Sequence, residues 1–155
     1  MKTAVIYYSK TGNTEGIAKE IAEKHHFDLH KITATSDDPM QKDVKLTSAP
    51  KTDAYERLIF AGPVHGFSIP AIMKSYLSQV GDLTGKTIDL FITHHFPFAW
   101  LGGNRTLRQM KRLILEKNGV VNQMTSVNWT SKKRQSVIIN LINAYEADAN
   151  DKKDA

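Results

Sequence analysis

The sequence predicts an α/β fold: a doubly wound parallel sheet of five strands with helices on both faces, a three-layer sandwich. Three observations lead there. Short β-branched and aromatic runs alternate with helical apolar stripes along the whole chain. Alternation of that kind builds parallel sheets through right-handed crossovers. The first run is apolar almost throughout, as a strand buried on both faces is. The 155 residues suit one domain, expected over residues 1–149 with a polar tail at 150–155.

Residues 3–9 (TAVIYYS) form the first strand. From Asn13 to about His25, Ile17, Ala18, Ile21, Ala22 and His25 recur at helical spacing. Residues 27–32 read as the second strand and residues 57–62 (RLIFAG) as the third, which stops at Gly62-Pro63. Ser68 is the expected N-cap of a helix carrying Ile69, Ile72, Met73, Tyr76 and Leu77, with Pro70 in its first turn and Gly81 beyond its end. Residues 86–93 (KTIDLFIT) are the fourth strand. A helix over 105–117 follows, with Leu107, Met110, Leu113 and Ile114 inward and a stop at Asn118-Gly119. Residues 120–129 mix apolar and polar positions, as an edge strand does, and residues 131–147 carry Val137, Ile138, Leu141, Ile142 and Tyr145 on one helical face. The crossover over 33–56 is polar, holds Pro39 and Pro50 and lacks a helical stripe; short helical turns are expected near 38–43 and 53–55.

Composition narrows the function. There is no cysteine, which excludes disulfides, thiolate metal sites and a thiol nucleophile. The 41% hydrophobic and 24% charged fractions describe a globular protein. No apolar run approaches the roughly 20 residues of a membrane span, and the apolar start at Ala4 is too short for a signal peptide. A cytoplasmic protein is expected.

Ligands of open α/β sheets bind outside the carboxyl ends of the strands, so three loops are candidates. The first, Ser9-Lys10-Thr11-Gly12-Asn13-Thr14, combines alternating hydroxyls, a glycine and a helix start. It is either an ordinary capped turn or a phosphate cradle. It is neither a Walker loop nor the dinucleotide GxGxxG motif. An acidic cluster after strand one, which a response regulator needs, is absent, since the chain reads Tyr8-Ser9-Lys10 there.

Ser-Lys-Thr-Gly-Asn-Thr after an apolar strand resembles the T/S-x-T-G-x-T phosphate loop of the flavodoxin family, and the resemblance runs from Thr3 to about Ala147. It implies a short-chain flavodoxin-like fold of strand order 2-1-3-4-5, FMN as cofactor, and a role in electron transfer or oxidoreduction. It also implies that residues 9–14 hold the FMN phosphate and that the next two loops frame the flavin ring. In the second loop, Pro63, Val64, His65, Gly66 and Phe67 stand where the family commonly has a ring-stacking Trp, so His65 or Phe67 takes that place or Phe67 packs inward. In the third, Thr93, His94, His95, Phe96, Trp100, Gly102, Gly103 and Asn104 occupy the segment where a Tyr usually stacks; Phe96, Phe98 and Trp100 supply aromatic faces instead. His94 and His95 are adjacent and point to opposite sides, so no metal site is expected. The implied partners are NAD(P)H, a quinone-like or flavin acceptor, or an acidic redox protein. A single-electron carrier and a regulatory FMN-binding protein are the alternatives.

The net charge is +5, all of it after Leu101: ten Lys/Arg face five Asp/Glu there, against eleven of each before. Arg105 and Arg108, with Lys132, Lys133 and Arg134, fall at two expected helix starts, where cations oppose the macrodipole. A cationic collar around the flavin mouth is expected, which departs from the acidic surround usual in the family. No basic base-reading helix is present, so nucleic-acid binding is not expected.

Overall fold

A computed structural model describes residues 1–36, 38, 41, 43–95 and 102–145. The strands are β1 (Thr3–Tyr7), β2 (Asp28–Lys31), β3 (Thr33–Ala34), β4 (Leu46–Ser48), β5 (Arg57–Pro63), β6 (Thr87–His94) and β7 (Val120–Asn128). The helices are α1 (Asn13–His25), α2 (Ala71–Gln79), α3 (Gly103–Glu116) and α4 (Arg134–Asn143). Five strands form one parallel sheet in the order β2-β1-β5-β6-β7. Counted among the strands of this sheet alone, that is the expected order 2-1-3-4-5; the labels shift because two unanticipated strands, β3 and β4, intervene along the chain.

Those two strands are an unexpected addition to the crossover and lie outside the stretches where short helical turns are expected. They pair antiparallel as a separate ribbon, with Thr33 Oγ1 and Thr47 Oγ1 2.7 Å apart. A stretch without an apolar stripe has no face to bury as a helix, whereas a ribbon can seat isolated apolar residues. Ala34, Val44 and Leu46 do this against the core. At the second expected stretch the chain makes a single i to i+3 turn, Tyr55 N–H to Thr52 O, while the first lies partly outside the described residues and shows the Gln41 N–H on Asp38 O.

Alternation along the strands divides the core into two layers. Ala4, Ile6, Leu58, Phe60, Ile88, Leu90 and Ile92 pack with Ile72, Met73, Tyr76 and Leu77 of α2 and Leu107, Met110 and Ile114 of α3. Val5, Tyr7, Ile59, Ala61 and Phe91 pack with Ile17, Ala18 and Ile21 of α1 and Ile138, Leu141 and Ile142 of α4. Helix α1 closes through His26, in the left-handed region at φ 57°, with the Phe27 N–H on Ala22 O. Helix α3 ends similarly at Asn118, φ 66°.

The amino end of the sheet is closed by polar contacts. Asp89 is fully buried, and its Oδ1 accepts the Gln123 N–H at 3.0 Å where β7 bulges against β6. Arg57 Nε lies 3.7 Å from the other Asp89 oxygen. Burial raises the Asp89 pKa, partly opposed by Arg57. Lys86 donates to the carbonyls of Thr52 and Tyr55.

Candidate functional site

At the carboxyl end the loops are open, and the first is shaped by its glycine and serine. Gly12 adopts φ 95°, a conformation that strains any L side chain, and turns the chain into α1. Ser9 Oγ accepts the N–H groups of Gly12 and Glu15, each at 3.2 Å. The first N–H groups of a helix have no intrahelical acceptor, and those of Asn13 and Thr14 meet no acceptor among the described residues. The Thr14 hydroxyl is buried, 2.9 Å from that of Thr93, and ties the loop to the end of β6.

Beside this loop, Glu15 accepts the Tyr7 hydroxyl at 2.7 Å and pairs with Lys31 at 3.1 Å and Lys19 at 3.3 Å. The Tyr7 hydrogen bond, followed by that from Lys31, lowers the Glu15 pKa to about 2. Burial first, and then Glu15, pushes the Tyr7 phenol well above its ordinary range.

The second loop is a tight turn. His65 and Ser68 exchange both backbone hydrogen bonds at 2.9 Å, with Gly66 at φ 54° and Phe67 at φ 64°. Two left-handed central residues define the primed hairpin turn. This geometry overturns two expectations. Phe67 does not pack inward; it is 45% exposed at the tip. Ser68 does not cap α2, which starts after Pro70 with no side-chain cap; the Ser68 hydroxyl instead donates to Gln109 Oε1 at 3.0 Å, and the Ile69 N–H donates to the same oxygen at 2.9 Å. Gln109, on α3, therefore staples the second loop. The His65 ring meets the buried Tyr8 ring edge-on, 5.8 Å between centroids.

In the third loop, the two histidines diverge as alternation requires. His95 is exposed, with Nε2 3.4 Å from Asn13 Nδ2 of the first loop. His94 is buried behind Gly103, where a Cβ would lie 3.4 Å from its ring and 2.6 Å from Ser126 Oγ. Gly102 packs on the second loop, 3.0 Å from Phe67 Cα for an added Cβ. Asn104 is exposed in the first turn of α3. Phe96, Phe98 and Trp100 lie outside the described residues, as does the 150–155 tail.

Lys10 and Thr11 of the first loop, Pro63, Val64, His65 and Gly66 of the second, and Thr93 and His95 of the third line one cavity of about 240 Å³. Ser9, Gly12 and Asn13 shape its edge. Thr14, His94, Gly102 and Gly103 form the packed support behind it, and Phe67 and Asn104 stand outside its lining. Such a site offers backbone donors and Lys10 to an anion, and two imidazoles that can donate hydrogen bonds. Among the described residues, no group of three or more His, Asp or Glu could hold a metal, and no helix is long and apolar enough to cross a membrane.

The collar is altered. Arg105 and Arg108 are exposed on the early turns of α3, as expected. Helix α4 starts three residues later than anticipated, at Arg134, so Lys132 and Lys133 occupy the preceding turn, in which Ser131 Oγ accepts the Lys133 N–H. Arg134 is committed to packing: its guanidinium lies 4.7 Å from the Trp129 ring centroid and donates to the Trp129 carbonyl. Tyr8 and Gln109 escaped the sequence reading. Tyr8 looked like ordinary strand sequence, and nothing local marks Gln109 as reaching a loop some 40 residues earlier.

Neither a protein-family model nor a curated protein matches the chain. Among solved structures, Trp repressor binding protein from Bacillus subtilis is similar at TM-score 0.67 and 13% identity, over 93% of this chain and 100% of that one. Flavodoxin 2 from Bacillus cereus is similar at TM-score 0.64 and 17% identity, over 93% and 97%. A flavoprotein in complex with FMN from Lactobacillus acidophilus is similar at 0.60 and 14%, over 81% and 92%. The chain has the flavodoxin-like fold.

Proposed function

We propose that the chain binds FMN at the carboxyl edge of the sheet and acts in oxidoreduction, accepting electrons from NAD(P)H and passing them to a quinone-like or flavin acceptor. One observation carries the reading: three loops far apart in sequence converge on one cavity beside a helix start with spare N–H donors. The similar fold that holds FMN supports it.

The residues fit the group. Lys10, Thr11 and the Asn13 and Thr14 amides hold the phosphate, with Ser9 and Gly12 setting the loop. Pro63, Val64, His65, Gly66, Thr93 and His95, which line the same cavity, would hold the ring. Bound FMN supplies one- and two-electron redox chemistry, and the protein supplies orientation and electrostatics. A cation about 8 Å from an anionic ring stabilises it by about 2 kcal/mol at an effective dielectric near 20. Lys10, which lines the cavity, would favour the reduced cofactor in this way, unlike an acidic surround.

The test is to titrate FMN into the purified protein, follow the visible spectrum, and then add NADPH or NADH with and without a quinone. Bound FMN that bleaches with nicotinamide and recovers with quinone is the expected result. A persistent semiquinone without nicotinamide reactivity would assign a carrier instead. Protein that FMN does not titrate would remove the reading altogether.

A further inference from the structure

We infer that a second cavity, between α2 and α3, binds an anionic small molecule: a phosphate or carboxylate carried on an apolar, aromatic body. The binding claim stands by itself; a redox role for the occupant rests on the FMN reading. The cavity measures about 680 Å³, within the range of roughly 300–1,000 Å³ typical of small-molecule sites.

Its wall is chemically divided. Ile69, Pro70 and Leu113 supply apolar surface, and Gln109 a polar group. Lys74 on α2 and Arg112 on α3 bring cations from different helices to the same space. No acidic side chain is among its described lining residues, and neither cation belongs to an ion pair among the described residues. Asp38 lines a smaller adjoining hollow with Pro70 and Ala71, and Asp43 lines a neighbouring cavity with Lys74. Two cations that line one concave space repel each other, and an anion between them removes that cost. Apolar surface beside the charges then selects an organic anion over a simple ion.

Two further features give the cavity an approach and a direction. Arg105, Arg108 and Arg112 recur at spacings of three and four, so they share one exposed face of α3. That line runs from the helix start beside the third loop to the cavity, and steers anions along it. The second cavity also shares His65 and Gly66 with the first. An occupant whose anion is held by Lys74 and Arg112 thus has its other end one loop segment away from the proposed flavin position.

Calorimetry and backbone-amide NMR on FMN-free and FMN-loaded protein test this with two matched pairs: adenosine 2′-phosphate against adenosine, and 2-naphthoate against 2-naphthalenemethanol. At least one anion is expected to bind about tenfold more tightly than its neutral counterpart, shifting the Gln109 and Arg112 amides. The pair that shows the preference tells a nucleotide phosphate from an aromatic carboxylate. Lys74→Gln and Arg112→Gln, both exposed, are each expected to lose about tenfold in anion affinity; Lys51→Gln, with the same change in net charge, is expected to lose none. Equal binding of anions and neutral partners, no binding by any of the four, or equal losses in all three variants would overturn the inference. Failure of FMN to bind while the anion preference persists would remove the flavin reading and leave the cavity standing. Normal FMN binding without that preference would do the reverse.

Discussion

Two carboxylates at opposite ends of the same sheet show how differently those ends are built. Glu15, at the carboxyl end, is reached by a tyrosine hydroxyl and two lysines, and its pKa falls to about 2. Asp89, toward the amino end, is fully buried against one arginine, and its pKa rises. Donors that bond to the charged form lower the one; at the other, desolvation outweighs the Arg57 charge and the Asn122 and Gln123 hydrogen bonds together. The amino end is closed around its charge and serves the fold. The carboxyl end keeps its charges wet and its helix starts open, which is what a ligand edge requires.

The contrast breaks most readily at the closed end. Asp89→Ala removes the acceptor for Gln123 and the carboxylate paired with the half-buried Arg57; about 3–5 kcal/mol of stability should be lost in denaturant unfolding. The FMN affinity of the folded fraction should be unchanged, because the proposed site lies at the other end. A large fall in that affinity would show that the two ends are not separable.

Gly103→Ala places a methyl 2.6 Å from Ser126 Oγ in the packing behind the third loop. The expected loss is about 1–3 kcal/mol, partly restored by adding Ser126→Ala. Both changes are readable by thermal unfolding, and their coupling would show that the close approach itself is responsible.

Gln109→Ala removes the acceptor shared by Ser68 and Ile69. About 1 kcal/mol should go from overall stability, and hydrogen exchange should accelerate selectively at Ile69 and its neighbours. Uniform exchange across the chain would mean that the staple does not hold the turn.

The smallest effects are in acid, and there the two carboxylates oppose each other. Glu15 titrates lower in the folded than in the unfolded state. Its contribution is present above the ordinary carboxylate range and lost as pH falls from there toward 2. Asp89 titrates higher when folded, so its charged form costs stability, and that cost is relieved as pH falls from the raised value into the ordinary range. Glu15→Gln should flatten the first dependence, by less than about 1 kcal/mol for so accessible a group, and Asp89→Asn the second. Unfolding free energies measured between pH 7 and 2.5 would separate them; slopes of the same sign in the two variants would contradict this account.

Much of the architecture was legible because each element states its own period. The Ile17, Ala18, Ile21, Ala22 stripe marks α1, and the β-branched run from Thr3 marks a strand buried on both faces. The crossover ribbon was not legible. Thr33–Ala34 and Leu46–Ser48 are too short to carry a pattern, and they exist as strands only because each finds the other. The candidate site was legible as three loops, since strand ends locate them, but not in its interior. Thr14 and Thr93 join buried hydroxyls across 79 positions, and Gln109 reaches back across 40. Neither partnership leaves a local trace.

The sequence by itself therefore determined the layers, the sign and placement of the charge, and the edge of the sheet where ligands belong, because period, composition and strand ends are local properties. Tertiary structure alone decided which of the basic residues stay available. It set Arg134 over Trp129 and brought Lys74 and Arg112 to one cavity. Charge is fixed by residue type, but its neighbours are chosen by packing between distant segments.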